Sequence, residues 1–141
     1  MPPLGLRLAV ARDHDACAKI YLTAAPMAFP WLPSDAIRRE DLEAAIREEE
    51  LWVAERDGTI AGFVSIYLPE RFIHSLYVDP ARQRQGIGQA LLDLALRRCD
   101  GWAELKCQEG NRAACAFYTR LGWRPVDWGW SAAGPWIRFR K

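Results

Sequence analysis

The stretch from Phe72 to Leu92 carries the residues best suited to chemistry. Phe72-Ile-His-Ser-Leu-Tyr-Val78 reads as a buried strand. It runs into a basic loop, Gln83-Arg-Gln-Gly-Ile-Gly88, and then into a helix that starts abruptly. A strand ending in such a loop presents several backbone N–H groups with the positive end of a helix dipole behind them, which makes an anion site suited above all to phosphates. His74 lies on the same strand, and imidazole titrates in the range useful for moving a proton. Strict alternation along a strand gives His74 the parity of Leu76 and Val78, so it is expected on their side. A core histidine with its hydrogen bonds satisfied is the competing role.

The elements that must hold this stretch follow from the apolar pattern. Leu6 to Ala11 reads as an opening strand. Asp13 is placed to cap a helix carrying Ala16, Cys17, Ile20, Tyr21 and Ala24, with Pro26 as its stop. Phe29-Pro-Trp-Leu-Pro33 is a rigid aromatic connector. Ser34 to Glu50 is read as a second helix with Leu42, Ala45 and Ile46 inward and its charged residues forming a solvated face. Leu51–Arg56 and Thr59–Tyr67 flank Asp57-Gly58, a hairpin signal. After the helix that follows the loop come a strand at Trp102–Cys107, a helix capped by Asn111 and closed by Gly122, and a tryptophan-rich hairpin. The order β-α-α-β-β-β-α-β-α-β-β predicts one α/β domain over residues 1–141, with three layers and helices on both faces of a mixed sheet.

Composition narrows the function classes. A net charge of +1 on 141 residues gives no support to nucleic-acid binding through bulk charge. No apolar run approaches the ~20 residues of a membrane-spanning helix, and the N-terminal piece lacks a signal-peptide pattern. Cys17, Cys99, Cys107 and Cys115 stand at no metal-ligand spacing and form no CxxC pair, so free thiols in a reducing cytoplasm are expected, with no metal.

Two familiar phosphate loops do not fit. A Walker A loop requires Lys and Ser/Thr after its last glycine, and here Gly88 is followed by Gln89 and Ala90. A Rossmann fingerprint requires a third small residue, and that position is Leu91. Gln83-Arg-Gln-Gly-Ile-Gly88 instead resembles the Q/R-x-x-G-x-G/A loop of the GCN5-related N-acetyltransferases (GNAT). Leu76-Tyr-Val-Asp-Pro80 precedes it as in that family. Asn111-Arg-Ala-Ala-Cys-Ala-Phe-Tyr-Thr-Arg-Leu-Gly-Trp123 resembles the family's second motif. The two motifs stand in the family's order and spacing, and the resemblance is close over residues 51–125.

The resemblance implies a GNAT fold with a central sheet of six to seven strands, two of them splayed, and acetyl-CoA as cosubstrate. It implies that Gln83, Arg84, Gln85, Gly86, Ile87, Gly88 and Gln89 bind the pyrophosphate. The backbone of Leu76, Tyr77 and Val78 would hold the pantetheine arm and the acetyl oxygen, with Asn111 as a further cofactor contact. Tyr118 falls at the tyrosine position that protonates the leaving thiolate, with a purely packing tyrosine as the alternative. His74 aligns with a histidine that arylalkylamine N-acetyltransferases use, so base, water relay or substrate contact are its implied roles. Ribosomal-protein N-terminal acetyltransferases carry a glutamate where this chain has Lys106, which weakens a protein N-terminus as acceptor; Glu104, on the same face, is a second carboxylate to consider as base.

The acceptor in this superfamily lies between the first two helices and the last hairpin, which here supply Tyr21, Phe29, Trp31, Trp128 and Trp130. Seven tryptophans in 141 residues is a high count, and these aromatic residues would line a pocket for an apolar or cationic amine, or pack a homodimer interface. The expected activity is direct acetyl transfer to a primary amine, a small molecule rather than a peptide. Protein lysine or N-terminal acetylation is the alternative within enzymes, and a non-catalytic acyl-CoA-binding module the alternative outside them.

Overall fold

The computed structural model describes residues 3–141. Seven strands form one mixed sheet in the order β1-β2-β3-β4-β5-β7-β6. They are β1 (Gly5–Leu8), β2 (Glu50–Arg56), β3 (Thr59–Tyr67), β4 (Phe72–Val78), β5 (Glu104–Gln108), β6 (Arg124–Ser131) and β7 (Gly134–Arg140). The helices are α1 (His14–Ala28), α2 (Arg39–Ile46), α3 (Ile87–Arg98) and α4 (Arg112–Arg120). None is long and apolar enough to cross a membrane.

Alternation along the strands sorts two cores onto the two faces. Val64, Ile66, Ile73, Leu105 and Phe139 meet Ile87, Leu91 and Leu92 of α3, with Phe117, Tyr118 and Leu121 of α4 at the margin. On the opposite face Leu51, Val53 and Phe63 meet Cys17, Ala18 and Ile20 of α1 and Leu42 of α2. Each face is therefore covered by two helices, which gives the three layers that the element order predicts. The Asp57-Gly58 hairpin forms, both residues taking positive φ (57° and 70°) as a tight turn between β2 and β3 requires.

Four local expectations need correction. Pro26 does not stop α1. It sits inside the last turn, and Phe29 N–H still donates to Ala25 O at 3.0 Å beyond it. Asp13 does not cap α1 with its side chain; it accepts from Val10 N–H at 2.8 Å and from the Arg7 guanidinium at 2.7 and 3.0 Å. The second helix does not span Ser34 to Glu50. Ser34–Ala36 is a 3-10 turn, Ile37 and Arg38 are extended, and Asp41 accepts from Arg38 N–H at 3.2 Å, so α2 begins only at Arg39. Its charged residues are not all solvated, because Glu49 has a side chain only 4% exposed.

The fourth correction lies in β4. Ser65 of β3 pairs with Ser75, but the next residue, Ile66, pairs with Ile73, so His74 is an extra residue on β4. Such a β-bulge breaks the two-residue side-chain period. Ile73 joins Leu76 and Val78 on the α3 face, and His74 turns to the α2 side, where it meets Glu49. The parity that simple alternation assigns to His74 does not survive the bulge.

The Arg7 guanidinium, with the Val10 amide, holds the Asp13 carboxyl down at about 2 from an ordinary 3.8. A lowered acid stabilises the fold above its unfolded value and loses that contribution as pH falls through the folded one. Asp13→Asn is therefore expected to melt below the unmodified protein at pH 7. The difference should close as the pH drops from about 3.8 to about 2, followed by thermal melts across that range.

Candidate active site

The site begins where β4 and β5 stop pairing. These parallel strands share only Phe72↔Glu104 and Ile73↔Leu105. Beyond that, β4 remains held by β3 as far as Val78, and β5 by β7 as far as Gln108. Each strand thus keeps one partner and exposes one free edge to a wedge. Buried backbone N–H and C=O groups need partners, so a wedge of this kind suits an extended polar chain laid between the strands.

The phosphate loop stands at the wide end of the wedge. Arg84 and Gly86 take left-handed φ of 65° and 77°, and Gly86 caps α3. The N–H groups of residues 83–89 find no hydrogen-bond partner within the described residues, and the first amide to bond back is Ala90, to Gly86 O at 3.0 Å. Gln83, Arg84 and Gln89 are exposed, and Arg82 and Arg84 have no carboxylate partner there. Ile87 is buried under the sheet, and Gly88 lies against Phe117. These free amides at a helix N-terminus fit a pyrophosphate. Gln85 does something else with its side chain. Its Oε1 accepts from Arg56 Nη1 at 2.8 Å, which ties the loop to β2.

Leu76 and Val78 pack toward α3, and Tyr77 packs against Phe63 and Tyr21 on the other face, with ring centroids 5.8 and 5.3 Å away. These three residues offer the wedge their backbone, as the resemblance implies. Across the wedge, Asn111 Oδ1 accepts from Ala114 N–H at 3.3 Å and caps α4. Tyr118 sits one helical turn past Cys115, packed on Phe117, Trp123 and Phe139. Burial, with Cys107, Tyr77 and Cys115 as neighbours, pushes its phenol well above the ordinary range. It therefore holds its proton throughout the physiological range. Cys107 and Cys115 place their sulfurs 3.5 Å apart, and burial raises the Cys107 thiol as well. A thiol so raised is a poor nucleophile.

On the α2 side, His74 Nδ1 lies 3.1 Å from both Glu49 carboxylate oxygens. Burial pushes the Glu49 carboxyl up, and His74 pulls it back down. The pair lines a cleft of about 470 Å³ with Ala45, Tyr67, Glu70 and Phe72. Glu49 is a residue that sequence reading misses. It is the middle of Glu48-Glu49-Glu50, and nothing in that run distinguishes the one carboxylate that turns inward. A second cleft of about 430 Å³ shares Glu70 and Phe72 with the first and adds Glu104, Lys106 and Arg138. Glu104 is committed to Arg140 (2.7 Å) and Arg138 (3.4 Å), which disfavours it as a base.

The aromatic residues divide. Trp31 Nε1 donates to Ala133 O at 2.8 Å, with Phe29 edge-on to its ring. This joins the α1–α2 connector to the β6–β7 turn. Tyr21 meets Tyr77 edge to face. Trp128 and Trp130 pair with Ile137 and Pro135; since cross-strand partners share a face, Trp128 lies on the Ile137 side, away from the clefts. Trp130 is 80% exposed. Trp136 pairs with Gln108 on the sheet face of the second cleft, and its ring carries Lys106 Nζ 4.3 Å from its centroid. It covers Gly129 so closely that a Cβ there would stand 2.2 Å from Trp136 Cζ2.

A splayed parallel pair, a glycine loop at a helix N-terminus and a second helix carrying Tyr118 meet around one wedge. The chain matches the Acetyltransferase (GNAT) family over residues 8–123, and it belongs to that family. It is 35% identical over 88 residues to the peptidyl-lysine N-acetyltransferase YiaC of Escherichia coli (strain K12), a match covering 62% of this chain and 59% of the relative. It is 37% identical over 79 residues to a mycothiol acetyltransferase of Streptomyces coelicolor, covering 50% of this chain and 26% of the relative. The chain thus spans less than two thirds of the curated relatives it matches. The fold is similar to that of the PaiA N-acetyltransferase of Thermoplasma acidophilum in complex with coenzyme A, with a TM-score of 0.79 at 15% identity, covering 96% of this chain and 98% of that one.

A Cβ at Gly86 would meet nothing within 4 Å, so Gly86→Ala changes only the backbone cost of a positive φ, about 1–2 kcal/mol. It should fold with a modestly lower Tm and lose coenzyme A affinity as the loop amides turn away, checked by calorimetric titration with coenzyme A.

Proposed function

We propose that this protein is an acetyl-CoA-dependent N-acetyltransferase that moves the acetyl group directly to a primary amine of a small molecule. The observation that carries this reading is the wedge itself: two unpaired strand edges, unpartnered loop amides at its wide end, and a protonated tyrosine on its α4 wall. The GNAT membership supports acetyl-CoA as the cosubstrate.

The residues divide the work as follows. Arg84 and the loop amides bind the pyrophosphate, and the β4 edge orders the pantetheine arm. In the transfer, a bond forms from the amine nitrogen to the acetyl carbon, and the carbon–sulfur bond breaks. His74 takes the proton that the nitrogen loses, directly or through a water, and Glu49 orients its ring. Backbone N–H groups of β4 donate to the carbonyl oxygen as it gains charge. Tyr118 gives its proton to the departing sulfur. The raised thiol of Cys107 favours direct transfer over a cysteine-bound acyl intermediate.

The Trp31–Ala133 contact, which ties the connector to the hairpin turn, favours short clefts over a long trench and so favours a small acceptor. The peptidyl-lysine specificity in the name of the Escherichia coli relative supports a lysine side chain as the second reading. Four free cysteines suit a reducing cytoplasm.

Tyr118→Phe is expected to lower kcat at least about tenfold with little change in acetyl-CoA affinity, followed by thiol release from acetyl-CoA over an amine panel. Unchanged turnover would remove Tyr118 as the acid. Tight acetyl-CoA binding with no amine or peptide turned over by the unmodified protein would favour a binding module. A base must be deprotonated to act, so the rate climbs with pH through its titration. His74→Ala should abolish that acidic limb of the kcat/KM profile, and a profile of unaltered shape would rule His74 out.

A further inference from the structure

The second cleft has an electrostatic arrangement that transfer of an acetyl group does not by itself require. On the α2 side of the sheet, β5 and β7 place Glu104 opposite Arg140, a matched cross-strand pair, and then Lys106 opposite Arg138. Like charges directly opposite each other on neighbouring strands are destabilising. Arg138 leans diagonally to Glu104, 3.4 Å away, and its Nε, shielded from solvent, has no hydrogen-bond partner. Lys106 has no carboxylate within 4 Å among the described residues and rests on the Trp136 ring. The charged groups around this cleft are Glu70 and Glu104 against Lys106, Arg138 and Arg140. Glu104 serves two arginines already, so Lys106 is the cation lining this cleft that is left without a carboxylate.

The adjoining cleft is more acidic. Glu48, Glu49 and Glu70 line it with His74, and Arg47 is its one cation. The clefts share the wall formed by Glu70 and Phe72. A ligand lying across that wall meets carboxylates and the imidazole at one end, and Lys106 and Arg138 at the other.

We propose that the acceptor is a zwitterion, an amino-acid-like small molecule whose amine lies at His74–Glu49 and whose carboxylate is bound by Lys106 and Arg138. The proposal rests on the acetyl-transfer reading and adds a carboxylate subsite to it. Lys106 thereby acts as a specificity residue. An anion between Lys106 and Arg138 relieves their repulsion, and charge-assisted bonds of this kind discriminate strongly.

The test compares β-alanine, 4-aminobutyrate and 6-aminohexanoate with ethylamine, propylamine and pentylamine, the same amines without the carboxylate, measured by thiol release from acetyl-CoA. At least one acid should exceed its partner by about tenfold or more in kcat/KM, equivalent to about 1.4 kcal/mol. Lys106→Gln should reduce that ratio about tenfold, and Lys106→Glu should reverse the preference. Both variants should melt no lower than the unmodified protein, since each removes a like-charge pair. The proposal is overturned if no acid is preferred, if the preference survives Lys106→Gln, or if its loss comes with a fall in Tm of several degrees. It is also overturned if a terminally blocked lysine peptide is acetylated and none of the six amines is. In that case, as when the plain amines are acetylated equally well, acetyl transfer stands and only the carboxylate subsite fails.

Discussion

Strands β4 and β5 pair at two residue pairs and then diverge, and the rest of the site depends on that divergence. A parallel ladder continued to the ends of both strands would satisfy their backbone groups internally and leave no room for a ligand. Each strand can leave the other because it is firmly held elsewhere, β4 by β3 and β5 by β7. The two half-sheets are stable units, and the free edges between them cost the fold little until they are buried. A bound chain of amides is what burial of those edges calls for.

The bulge at His74 is the second constraint, and it acts at the apex of the wedge. One extra residue on β4 turns a side chain that alternation would send into the α3 core toward the buried carboxylate of Glu49. The imidazole of His74 and the free backbone edge of Leu76 to Val78 then come from one strand, the side chain turned toward α2 and the edge open to the wedge. On the opposite wall, the close sulfurs of Cys107 and Cys115 and the buried phenol of Tyr118 form an environment that keeps protons on.

The phosphate loop and its helix were legible in the sequence because their signals are local. Gly86 takes a positive φ, Asn111 caps α4 and Asp57-Gly58 turns the hairpin through bonds spanning only a few residues. The apolar spacing of α3 and α4 gives their buried faces directly. The bounds of the second helix were less legible, since capping by Asp41 at its start and the pairing of Glu50 with Ile66 beyond its end decide them. Glu49 was not legible at all. Its burial depends on where α2 ends relative to β4, 25 residues further along the chain.

The sequence by itself determined the order of elements, the anion-binding loop and the second motif, because each is written in short-range spacing of residue types. Only the tertiary structure decided which side His74 faces, which tryptophan meets Lys106, and that Lys106 has no carboxylate partner among the described residues. Those outcomes follow from a register shift between β3 and β4 and from the pairing of β5 with β7. Pairing register is set by contacts between residues far apart in the chain, so no window of sequence contains it.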